Sequence, residues 1–111
     1  MAMIDKDKVA TDFARVVNMA PAEIAAWLKT DDSKKVGFKR AGAGESVGHA
    51  SGRRIVAIQR KGKAELDDDD YAHMRKVVGY VKRHSAQRPE NIVTSRWRYS
   101  LMNWGHDPLN D

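Results

Sequence analysis

The sequence has no cysteine, which excludes disulfides, a thiolate nucleophile and cysteine-based zinc sites together, and fits a reducing compartment. It also has no apolar run of the ~20 residues that a membrane-spanning helix needs. Its first residues, MAMIDKDKVATDF, carry charge where a secretory leader carries an apolar core. A cytoplasmic location is therefore expected, nucleoid-associated if the protein binds DNA. Alternation of apolar and polar residues is missing throughout, so no strand is predicted.

The familiar site motifs are missing as well. GAGESVGHASGRR, Gly42 to Arg54, looks at first like a phosphate-cradling loop. However, no glycine in the chain is followed by Lys-Ser or Lys-Thr, so there is no P-loop. G-x-G-x-x-G fails by one position, because Val47 stands where the third glycine belongs, and VGFKRA is too short and polar to be the buried strand that motif follows. There is no H-x-x-x-H or H-E-x-x-H pattern, and His73 and His84 on one predicted helix lie about 16 Å apart along its axis, too far to share an ion. The acidic run Asp67 to Asp70 lacks the glycine of a calcium loop. An enzyme built on His49 and His106 with a carboxylate such as Glu45 or Asp107 would need both imidazoles in one pocket, and adjacency in sequence does not orient them. No catalytic residue, metal site or cofactor is expected.

What is present is a polar globular composition: 111 residues, 41% hydrophobic and 32% charged, enough for one domain with a modest core. The apolar spacing is helical. Val9, Phe13, Val16 and Val17 form a stripe from about Asp5 to Asn18. Pro21 suits a first helical position, with Glu23 in the first turn and Ile24, Trp27 and Leu28 on one side. DDSKKVGF adds one turn closed by Gly37. Ser46 or Ser51 caps a helix carrying Ile55 and Ile58. Asp67 and Asp70 form a capping box ahead of the longest stripe, Tyr71, Met74, Val77, Val78 and Val81, in a helix from about Asp68 to Gln87. Thr94 caps a last helix in which Trp97, Leu101 and Trp104 share a face and Gly105 ends the pattern. The expected fold is all-α, a compact bundle of about five helices, with residues 1–111 as a single helical domain.

Charge is segregated along the chain. The net value is +5, yet residues 34–63 carry nine basic side chains against Glu45 alone. Such a block focuses a field that attracts polyanions. Free N–H groups at a helix N-terminus, nearby serines and arginines suit a backbone phosphate. The candidate DNA contacts are Lys34, Lys35, Lys39, Arg40, Ser46, Ser51, Arg53, Arg54, Arg60 and Lys61. The expected partner is nucleic acid, duplex DNA first, bound through phosphates with little sequence reading.

Three strings, GESVGHASGRRIV, DDYAHMRKVVGYVKRHSAQRP and YSLMNWGHDPL, resemble a family of small proteins of unknown function whose members are often labelled "DNA-binding protein". The resemblance covers nearly the whole chain and implies DNA binding, but it assigns no residue a role. The alternative from a different class is a non-enzymatic protein-interaction or stress-associated module. It would meet an acidic protein partner through the basic surface and the aromatic C-terminal helix, where Arg96, Arg98 and Tyr99 lie off the core face.

Overall fold

The computed structural model describes residues 5–110, and the leader argument as it concerns residues 1–4 lies outside them. The architecture is all helical: α1 (Lys6–Val16), α2 (Pro21–Leu28), α3 (Asp31–Lys35), α4 (Val47–Gln59), α5 (Asp68–Ser85) and α6 (Arg96–Asn103). Single 3-10 turns follow at Lys63–Glu65 and Pro108–Asn110, and no strand occurs among the described residues. The element beyond the expected five is α3, the turn read from DDSKKVGF, which runs for five residues. None of the described helices is long and apolar enough to cross a membrane.

Local chemistry sets most of the boundaries. Asp5 caps α1 by accepting from Lys8 N at 3.1 Å. Pro21 opens α2, where Glu23 reaches back to accept from Ala20 N at 3.0 Å. The capping box of α5 is complete, with Asp70 N donating to Asp67 Oδ1 at 2.8 Å and Asp67 N to Asp70 Oδ2 at 3.2 Å. Ser46, the earlier of the two serines considered, caps α4. Ser95 rather than Thr94 caps α6, accepting from Arg98 N at 3.1 Å. Gly105, at φ +80°, ends α6 in a Schellman turn: its N–H donates to Met102 O at 3.0 Å and His106 N to Leu101 O at 3.0 Å.

The apolar stripes meet in one core. α1 lies along α5, α2 lies along α4, and α6 sits between the two pairs and touches α2, α3, α4 and α5. Ile24, Ile55, Val77 and Leu101, one from each of α2, α4, α5 and α6, are fully buried at its centre. The Cα radius of gyration is 13.8 Å, close to the ~13 Å expected of a compactly folded chain of this length.

Two polar devices fix α6. Asn103, 1% exposed, accepts from Trp27 Nε1 at 2.7 Å and Ser33 Oγ at 2.5 Å and donates to Ser33 O at 3.1 Å, tying α6 to α2 and α3. Beyond α6, Arg98 holds Asp107 through two 3.0 Å bonds, while Asn18 pairs with the Asp107 backbone at 2.8 and 3.0 Å. The C-terminal segment is thereby pinned to the α1–α2 turn.

Candidate nucleic-acid interface

The glycine-rich stretch divides into two parts with different physics. Gly42 and Gly44 lie in the loop between α3 and α4, where the backbone turns with Ala43 N donating to Arg40 O at 2.9 Å. Gly48 and Gly52 lie inside α4, one turn apart on its inner face. A Cβ at Gly48 would stand 2.9 Å from Trp104 Nε1, and one at Gly52 would stand 2.6 Å from Asn103 O. The two glycines therefore let α4 close on the end of α6. Ser51 belongs to the same inner face, buried, with Oγ 2.9 Å from His73 Nε2 on α5.

The ten proposed phosphate contacts separate accordingly. Ser46 and Ser51 are buried, the first spent on the cap of α4 and the second on His73. Arg53 is drawn into an internal pair, its Nε and Nη2 donating to the two carboxylate oxygens of Glu45 at 2.8 and 2.6 Å. The Arg53 guanidinium, outweighing burial and joined by His49, pulls the Glu45 carboxyl down to about 2. Glu45 also bonds His49 Nδ1, whose Nε2 lies 2.7 Å from Leu28 O. Lys61 is tied to Asp70 at 2.7 Å, at the far end of α4 from the loop, next to Arg60. Lys34, Lys35, Lys39 and Arg40 are exposed. Arg54 reaches Asp70 only at 3.5 Å.

Arg40 and Arg54 come together with a cation that the sequence reading left out. An open cleft of about 360 Å³ lies between the α3–α4 loop and α5, with Arg40, Arg54 and Lys76 on its walls and Ser51 and His73 within it. Glu45 is the acidic residue of its lining, already occupied by Arg53 and His49, and Asp70 lies behind Arg54, bonded to Lys61. His73 registers this field: burial first, then Arg54 and Lys76, push its pKa down to about 4. The ring is therefore neutral at neutral pH, and the Ser51–His73 contact joins α4 to α5. On the other side of the loop, Lys34 and Lys39 border a smaller hollow of about 180 Å³.

Lys76 escaped notice because nothing local marks it: it is one of several lysines and arginines on the outer face of α5. Only the docking of α5 against α4 brings it to the cleft that Arg54 borders. His49 and His106 are held by different parts of the fold, His49 at Leu28 O and His106 with Nδ1 2.6 Å from Val16 O. Among the described residues there is no cluster of three or more His, Cys, Asp or Glu able to hold a metal ion.

No curated protein and no solved structure matches the chain. One family model does, over residues 12–102, and its description is "Protein of unknown function (DUF3140)". That span takes in the last five residues of α1, all of α2 to α5, α6 as far as Met102, and every wall of the cleft. The chain thus belongs to the DUF3140 family of proteins of unknown function.

Proposed function

We propose that this protein binds DNA through the phosphate backbone, with little discrimination among sequences. The observation that carries the reading is the convergence of Arg40, Arg54 and Lys76 around one open cleft, with the exposed Lys34, Lys35 and Lys39 beside it. Cations carried by two helices and a short loop form a seat for phosphate oxygens, and arginine contributes forked donors. The neighbouring lysines extend the field over more than one phosphate. Arg60 and Lys61 lie roughly 10 Å beyond Arg54 along α4, and Lys61 is held by the same Asp70 that Arg54 approaches, so the two take a secondary part. Ser46, Ser51 and Arg53 support the scaffold instead of touching the ligand.

The test is a titration on several unrelated duplexes over a range of salt. Affinity should be similar across sequences, and log K should fall linearly with log salt. Replacing Lys39 and Arg40 together by alanine should weaken every duplex alike and reduce that slope by about two. E45Q removes the acidic group of the cleft lining and loosens Arg53, so it should tighten binding and steepen the slope. Absence of DNA binding at ~50 mM salt, where phosphate contacts are strong, rejects the reading.

A further inference from the structure

Next to the cationic cleft lies a second one of about 260 Å³, lined by Phe38, Val47, Gly48, Lys76, Tyr80 and Trp104 among others. The two clefts share Val47 and Lys76, so they adjoin across the first turn of α4. One is cationic and the other aromatic.

Phe38 is 72% exposed, and no core contact accounts for it. It is nevertheless held in place, since its carbonyl accepts from Val47 N at 2.8 Å. Tyr80 stacks on Trp104 with ring centroids 4.2 Å apart and planes 16° from parallel, making a flat aromatic wall. Trp104 itself is 4% exposed. The indole N–H groups of Trp27 and Trp97 each donate at 2.7 Å, to Asn103 Oδ1 and His84 O. Trp104 Nε1 stands over the bare Cα of Gly48 at the cleft and donates to none of the described residues.

We propose that this face holds a single-stranded segment of nucleic acid. One phosphate sits among Arg40, Arg54 and Lys76, and the adjoining base stacks on Phe38 at the mouth of the Tyr80–Trp104 cleft. The inference rests on the phosphate reading above and adds the form of nucleic acid preferred. In a duplex the base faces are covered by their neighbours, so an aromatic side chain beside a phosphate seat gains nothing. In a single strand the base swings out, and stacking is tolerant of its identity.

The experiment compares labelled oligo(dT) of ~16 nucleotides with a mixed-sequence duplex of the same length, by fluorescence anisotropy at ~50 mM salt. The single strand should bind more tightly. F38A should weaken its binding about tenfold, the size of one lost base stack, and leave the duplex unchanged, whereas F38W should retain the preference. Phe38 lies in an exposed loop, and an unchanged circular dichroism spectrum and melting temperature establish that F38A folds. K76A should weaken both ligands. Equal or tighter binding of the duplex, or an F38A variant that binds oligo(dT) as the parent does, overturns the single-strand proposal and leaves the phosphate reading standing. Failure to bind either ligand overturns both.

Discussion

Gly52→Ala is the substitution whose outcome the structure determines most sharply, because two opposing effects act on one atom. Gly52 is inside α4, and alanine there favours the helix by roughly 1 kcal/mol. Against this, the new Cβ would stand 2.6 Å from Asn103 O and 2.8 and 3.1 Å from the Leu28 methyl carbons, well inside the ~3.5 Å at which non-bonded atoms rest. Neither neighbour can give way cheaply. The Asn103 carbonyl belongs to a helix whose side chain is bonded to α2 and α3, and Leu28 is core, with its own carbonyl bonded to His49. Forcing a methyl group into such a contact costs about 1–3 kcal/mol. Because the nearest atom is backbone, the cost falls in the upper half of that range, so overpacking wins with a net loss of about 1–2 kcal/mol and a fall in melting temperature of roughly 4–8 °C per kcal/mol. Gly44→Ala, eight residues earlier, is the control: nothing lies within 4 Å of a Cβ there, and restricting the unfolded chain should stabilise by ~0.4–1 kcal/mol. Thermal unfolding of both variants by circular dichroism gives the signs. A Gly52→Ala protein as stable as the parent would refute the close approach of α4 and α6.

His73 makes the protein sensitive to mild acid. Its folded-state pKa of about 4 lies below the ordinary 6.5, so the unfolded chain takes up the proton first; stability is full above about pH 6.5 and falls as the pH drops toward 4. The loss is on the order of 2 kcal/mol once partial exposure is discounted. H73Q should flatten the melting temperature across this window apart from the share of His84, which burial also depresses, and an unchanged slope would count against this account. Asn103→Ala strips the partner from Trp27 Nε1, Ser33 Oγ and Ser33 O at once. Urea unfolding should show a loss of about 3 kcal/mol, and a loss under 1 kcal/mol would mean that α6 is held by packing alone.

What the sequence shows plainly is what neighbours along the chain decide among themselves. The capping box at Asp67, Pro21 at the head of α2 and Gly105 at the end of α6 are satisfied by groups within a few residues, so residue type and spacing suffice. Thr94 and Ser95 offer the same hydroxyl one residue apart. Which of them caps α6 depends on the path of the preceding loop, and that path is set by where α6 docks. The basic block was legible as charge, but the fate of each side chain was not. Arg53 and Arg54 are adjacent, yet about 100° apart around the helix, so one faces Glu45 and the other the cleft. Lys76, Tyr80 and Trp104 complete the site from α5 and α6, and no local pattern joins them to the Gly-rich stretch.

That stretch also links the packing to the proposed site. Glycines at 42, 44, 48 and 52 look alike in sequence, but only the last two face another helix at a distance that leaves no room for a side chain. If α4 carried alanines there, it would stand farther from α6, and Trp104 would no longer lie against Gly48 at the cleft. Arg54 and Lys76 border one cleft where α4 and α5 are joined across Ser51 and His73, and Ser51 is small and adjacent to Gly52 on the same inner face. These small residues are committed to the packing, Ser51 to His73 and the two glycines to α6. They bring α4, α5 and α6 close enough for Arg54, Lys76 and the Tyr80–Trp104 wall to border one continuous face, so variants at Gly52 that loosen the helices should weaken binding of duplex and single strand in step with stability, whereas F38A should weaken single-strand binding alone, without any loss of stability.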